Sequence, residues 1–196
     1  MIGGIVLAAG SGSRFGGGKQ LAQLDGRPLL EHALAAMASA PVCRTVVVLG
    51  SRADEVVGSV SLHGAEPVIC DSWSDGLAAS LACGLAEMAD AEAVVVILGD
   101  QPRVSPDAIR RVLAARGSAP AIRATYGGQP GHPVLIERRL FDRLRDATGD
   151  HGVRNVLQSM GVHEVPCDDL GGGEDVDTRA ELEAVRAAVS KPSQPA

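Results

Sequence analysis

Arg14 and Lys19 stand five residues apart in the stretch LAAGSGSRFGGGKQ, whose other members are mostly glycine, alanine and serine. Small residues let backbone N–H groups approach an anion closely. Arginine adds a forked cation and lysine a point charge, so the stretch has the makings of a phosphate cradle. It fits neither standard glycine-loop fingerprint. A dinucleotide loop that begins at Gly10 and Gly12 needs a third glycine where Phe15 stands. A P-loop needs glycine at Ser13 and serine or threonine at Gln20, around the Gly18–Lys19 pair. The plain alternative is a solvated loop whose two cations face water.

Three acids complete the chemistry such a cradle needs. Asp100, in LGDQP, closes the strongest apolar run of the chain, and ligands of open α/β sheets gather at the carboxyl ends of strands. Beside a triphosphate, that carboxylate and a second acid hold Mg2+, which offsets phosphate charge. Asp175 and Asp177, in EDVDT, are two apart and share one side if the segment is extended. Two of the acids also have a structural reading, Asp100 as a turn or cap residue and Asp177 as the cap of the following helix. His132, flanked by glycine and proline in PGHPV, reads first as a structural histidine bonded to a backbone carbonyl. Trp73, the only tryptophan, is expected beside the nucleotide cleft.

These residues need a scaffold, and the apolar pattern supplies one. Short aliphatic runs at Ile2–Ala8, Cys43–Gly50, in EPVIC and in AEAVVVILGD alternate with helical patterns. The helical patterns span Arg27–Ala40, SRADEVVGSV with Ser51 as cap, and Ser74–Asp90 with Ser74 or Asp75 as cap. A further helix, SPDAIRRVLAAR, has Pro106 at its first position. Near-continuous aliphatic strands between helices predict a parallel sheet covered on both faces. After Ala119, PAIRATYGGQPGHPVLI reads as two strands joined by a turn, then two short helices, a half-exposed strand VHEVPCD and a last helix from DTRAELEAVRAAV. The expectation is a three-layer α/β/α, Rossmann-like domain over residues 1–190, with a mostly parallel mixed sheet, a small β excursion in the C-terminal half, and a disordered tail at 191–196.

Composition narrows the function. The chain has 196 residues, 45% hydrophobic but only 2% aromatic, so its core is aliphatic. A net charge of −6 argues against nucleic acid and anionic membranes as partners. No aliphatic run approaches membrane-spanning length. The four cysteines lack zinc spacing, and Cys43, Cys70 and Cys83 read as small buried hydrophobes in a reducing, cytoplasmic setting. No leader-like basic segment precedes the first strand.

The opening stretch resembles the signature of nucleotidyltransferases that move a nucleoside monophosphate from a triphosphate to a phosphorylated acceptor. DGLAASLACGL, LGDQPRV, GQPGHPVLI, GDHGVRN and DVDT follow in the order of the MobA/MocA-like molybdenum cofactor cytidylyltransferase branch. The resemblance covers Ile5 to about Glu183. It implies that Arg14, Lys19 and Asp100 are catalytic, and that Leu7, Ala8, Ala9, Gly10, Ser11, Gly12, Gly76 and Ser80 bind the nucleotide with Arg14 and Lys19. It further implies that Asp100, Asp175 and Asp177 hold Mg2+, and that His132 and Arg154 line the acceptor side. Alanine at position 9, where guanylyl-transferring relatives carry glycine, points to CTP. The implied partners are small molecules, a triphosphate and a phosphorylated pterin-type acceptor, with a molybdoenzyme as client. One departure is Arg179, where the family has proline after the threonine.

Overall fold

The computed structural model describes residues 1–189, except the side chains of Asp150, Ala188 and Val189, so the expected tail at 191–196 lies outside the described residues. The chain runs β1 (Ile2–Leu7), β2 (Gln23–Leu24), β3 (Arg27–Pro28), α1 (Leu29–Ala38), β4 (Arg44–Leu49), α2 (Ala53–Ser59), β5 (Glu66–Ile69) and α3 (Leu77–Glu87). It continues β6 (Ala93–Leu98), α4 (Pro106–Ala114), β7 (Ala121–Tyr126), β8 (Gln129–Glu137), α5 (Phe141–Arg145), α6 (Gly149–Met160), β9 (Val162–Pro166) and α7 (Arg179–Val189). Seven strands form one sheet in the order β5-β4-β1-β6-β8-β7-β9.

β5, β4, β1 and β6 are parallel; β4, β1 and β6 bury their aliphatic runs, as inner strands covered on both faces do, while β5 is the largely exposed edge strand. One face packs α1, α2 and α4 through residues such as Leu34, Val56 and Ile109. The other packs α3, α5 and α6 through Leu85, Phe141 and Leu157. The three-layer architecture is as expected. The β7–β8 pair is not a side excursion, because β8 pairs antiparallel with β6 and carries the main sheet onward.

Local expectations hold and fail for identifiable reasons. Ser105 caps α4 by accepting a hydrogen bond from the Asp107 N–H at 3.1 Å, with Pro106 at the first helical position. α2 starts instead after Arg52, which takes a left-handed φ of 64° and leaves Ser51 without a capping role. α3 begins at Leu77, because a 3-10 turn over Trp73–Asp75 uses up the expected caps and Gly76 turns the chain at φ 103°. Cys70 and Cys83 are joined in a disulfide, and Cys43 is exposed. None of Cys43, Cys70 and Cys83 is therefore the free buried hydrophobe expected, and the cysteines no longer point to a reducing setting.

Candidate active site

The carboxyl ends of β1 and β6 and the start of α3 enclose a cleft of about 520 Å3. Leu7, Ala8, Ala9, Gly10, Ser11 and Gly12 line it from β1 and its loop, and Lys19, Asp100, Gly76 and Ser80 complete the lining. Apart from Arg14, every residue expected to bind nucleotide therefore faces one space, of a size that suits a small-molecule ligand. Trp73 joins this wall and packs against Gly50, where a Cβ would come within 2.4 Å of the indole.

The loop is shaped by a residue that the sequence did not single out. Gln20 is 6% exposed, and its amide nitrogen donates to the Ala8 carbonyl at 2.9 Å and the Gly10 carbonyl at 2.7 Å. Those two bonds fix the turn that leaves β1. Gly12 lets the returning chain pass, since a Cβ there would stand 2.9 Å from Lys19 Cβ. Nothing in sequence distinguishes this glutamine from one on the surface; its place beside the lysine of a glycine-rich loop is the only cue.

At the open end of the cradle, Lys19 Nζ donates to Asp100 Oδ2 at 2.7 Å and Asp177 Oδ1 at 3.0 Å. Arg14 reaches the other oxygen of Asp177 at 2.6 Å. Burial pulls the Lys19 ammonium down, but Asp100 and Asp177 outweigh it and hold its pKa above the ordinary lysine value. The hydrogen bond from Lys19, with the charges of Lys19 and Arg14, keeps the Asp177 carboxyl below the ordinary range against a smaller effect of burial.

Asp177 reaches this place because its segment is fastened at both sides. The Val176 N–H donates to the Asp100 carbonyl at 3.0 Å. Beyond it, Glu181 accepts from the N–H groups of Asp177 and Thr178, both at 2.7 Å, while Thr178 Oγ1 accepts from the Glu181 N–H at 3.2 Å. This reciprocal capping starts α7. α7 then buries Leu182 and Val185 with Phe15, Leu24, Leu29 and Val176, and Arg179 stacks on the Phe15 ring at 5.0 Å. The loop that carries Arg14 and the helix that follows Asp177 thus share one small core.

Asp175 is held differently. It accepts from Gln101 Nε2 at 2.7 Å, and burial, followed by the charges of Asp100 and Asp177, raises its carboxyl above the ordinary range. Among the described residues, no group of three or more His, Cys, Asp or Glu side chains stands ready around a common point. The donor set nevertheless fits a hard cation: Asp100 Oδ1 and Gln101 Oε1 are buried oxygens with no hydrogen-bond partner, beside a carboxylate pair that already shares one positive charge.

His132 lies close enough to Asp100 to feel its charge, and Tyr126 donates its hydroxyl proton to the His132 carbonyl at 3.0 Å. The residue keeps some exposed surface, yet the surroundings of its ring push the imidazole down to about 4, against the pull of Asp100. Its side chain is thus neutral near neutral pH. Arg154 is exposed on α6 and is not part of the cleft wall.

Comparison with known proteins places the chain in a family. Residues 4–165 match the model of the MobA-like NTP transferase domain. The chain is 32% identical to nicotine blue oxidoreductase of Paenarthrobacter nicotinovorans, over 89% of this chain and 91% of that protein. It superposes on the structure of a Mycobacterium tuberculosis Rv0371c homologue from Mycobacterium sp. strain JC1, with a TM-score of 0.84, 33% identity and 96% of each chain covered. Rv0371c of M. tuberculosis in complex with manganese gives a TM-score of 0.82 at 30% identity, over 95% of this chain and 98% of that one. With most of its length matched and its glycine cradle, β6-tip acid and α7 cap folded into one site, this chain belongs to the MobA-like NTP transferase family.

Proposed function

We propose that this protein transfers CMP from CTP to the terminal phosphate of a molybdopterin-type cofactor, releasing pyrophosphate. The observation that carries the proposal is the meeting of Lys19, Asp100 and Asp177 at the mouth of a cradle built from Ala8 to Gly12. The Ala8 N–H is bonded to the Val48 carbonyl at 2.9 Å, so the cations and the loop backbone beyond Ala8 are what suit a triphosphate, and the paired acids suit a divalent ion. Mg2+, when bound, supplies charge neutralisation on the triphosphate, and Asp100 and Asp177 would hold it, with Asp175 as the third candidate. A relative with manganese bound supports divalent metal in this fold.

The chain's own residues have these parts. The loop backbone beyond Ala8, as far as Gly12, seats the phosphates, Arg14 holds the leaving pyrophosphate, and Lys19 stabilises charge growing on the α-phosphate. A phosphate acceptor is already anionic, so the attack on the α-phosphorus needs no general base. A neutral His132 beside Asp100 suits binding and orientation on the acceptor side, with Arg154 as a candidate grip for the acceptor phosphate. Ala9 lines the cleft, and the choice of a cytosine base rests on the resemblance, in which guanylyl-transferring relatives carry glycine at this position.

The test is pyrophosphate release from each of the four triphosphates with a panel of acceptors: molybdopterin, sugar phosphates and phospholactate. Release with CTP and molybdopterin is expected, and release only with another pair reassigns the substrates. A second reading has one specific support, the name of the relative that is 32% identical. Hydride transfer predicts NADH binding and oxidation; the absence of a dinucleotide fingerprint around Gly10 and Gly12 weighs against it.

A further inference from the structure

Lys19 occupies a place that its neighbours make electrostatically crowded. Its ammonium sits between two carboxylates, 2.7 Å from Asp100 Oδ2 and 3.0 Å from Asp177 Oδ1, and its side chain is only 13% exposed. Asp175 adds a third negative group within electrostatic reach of the same pair. One unit of positive charge thus neutralises a site with the acids to bind a doubly charged ion. The backbone of Lys19 is set by the clamp of Gln20 next to it, whereas its stem is a flexible four-carbon chain. Lys19 also lines the cleft in which a triphosphate would lie.

We propose that Lys19 is an internal counter-ion that keeps Asp100 and Asp177 together until a divalent cation displaces it, and that the freed ammonium then turns to the phosphates of the nucleotide. This inference rests on the reading of the cleft as a metal–triphosphate site. Its physical content is an exchange of partners. A cation arriving alone must break both Lys19 contacts and leave a partly buried ammonium without an anion, which is costly. A triphosphate arriving alone must draw Lys19 from two carboxylates that would then repel each other. Together they satisfy every charge, so the two bind with positive coupling, and the coupling is reciprocal. Lys19 thereby weakens the binding of metal alone without abolishing it, and favours metal and nucleotide together.

The test uses the intact protein, Mn2+ alone and no nucleotide, so failure of the CTP reading leaves its outcome readable. The chain has two lysines, Lys19 and Lys191, which makes pulsed acylation read by mass spectrometry a clean probe. Titrating Mn2+ into wild-type protein is expected to raise the acylation rate of Lys19 about tenfold relative to Lys191, as the ammonium leaves its carboxylates. In parallel, Mn2+ binding followed by electron paramagnetic resonance is expected to tighten about tenfold in Lys19→Met, and to lose that gain in Lys19→Met with Asp177→Asn. Unchanged or slower Lys19 acylation with Mn2+, or equal or weaker Mn2+ binding by folded Lys19→Met, overturns the proposal. Should Lys19→Met not fold, the wild-type acylation result decides.

Discussion

Lys19 and Asp177 are 158 positions apart in sequence and 3.0 Å apart in space, joined through a salt bridge that also takes in Asp100. That contact links the first loop of the sheet to the cap of the last helix. In the proposed transfer reaction the same lysine would face the α-phosphate and stabilise charge that builds there in the transition state. Lys19→Ala is therefore expected to lower kcat on the order of 10²- to 10³-fold, with a much smaller change in nucleotide affinity. Steady-state kinetics with direct CTP titration separates the two; equal losses would assign Lys19 to ground-state binding instead.

Gln20 offers a test of the cradle that leaves its charges alone. Gln20→Ala leaves the Ala8 and Gly10 carbonyls without their side-chain donor in a largely buried place. A loss of roughly 2 kcal/mol in unfolding free energy is expected, along with weaker nucleotide binding because the turn loses its shape. Urea denaturation and CTP titration measure the two effects. A variant as stable as wild type would show that the loop is held from elsewhere.

The disulfide Cys70–Cys83 spans a sequence separation of 13 and brackets Trp73, Gly76 and Ser80 on the cleft wall. Its removal in Cys70→Ser with Cys83→Ser is expected to cost about 3 kcal/mol, the chain-entropy value for a loop of this length. Because Trp73 is the only tryptophan, its fluorescence reports the same wall directly. CTP is expected to change that emission in the oxidised protein, and to do so at higher CTP concentration once the bridge is reduced. Identical titrations in both states would show that the wall holds its shape without the bridge.

His132 gives a pH dependence whose sign follows from its burial. Its folded pKa, about 4, lies below the ordinary value of 6.5, so the unfolded chain takes up a proton first as pH falls. Stability is therefore lost between about pH 6.5 and pH 4, and this one group accounts for about 2 kcal/mol between pH 7 and pH 5. His132→Asn is expected to flatten that part of the curve. Chemical denaturation of both proteins at pH 7 and pH 5 provides the check, and parallel curves would mean that the ring is not shielded as described.

Much of this was legible in the chain because it is written locally. Unbroken aliphatic runs such as Ala93–Leu98 declare buried parallel strands, and Ser105–Pro106 declares a helix start. The cradle residues were legible as small residues with two cations, and the acids by their resemblance to a known pattern. What escaped was written between distant positions. Cys70 and Cys83 carry no local pairing motif, since one follows a strand and the other lies inside a helix. The docking of β8 against β6 is a long-range pairing with no local signature. The start of α3 was misplaced because the Trp73–Asp75 turn and the positive φ of Gly76 compete with ordinary capping. Gln20 was missed because burial, not residue type, gives it its role.

The most direct single measurement is the equilibrium affinity for CTP with and without Mg2+, in wild type and in Asp100→Asn. If one cleft seats a metal–triphosphate between the β1 loop and the Asp100–Asp177 pair, Mg2+ tightens CTP binding to wild type at least about tenfold and leaves Asp100→Asn nearly unaffected. CTP affinity that ignores Mg2+ in the wild type, or that responds equally in the variant, contradicts the account.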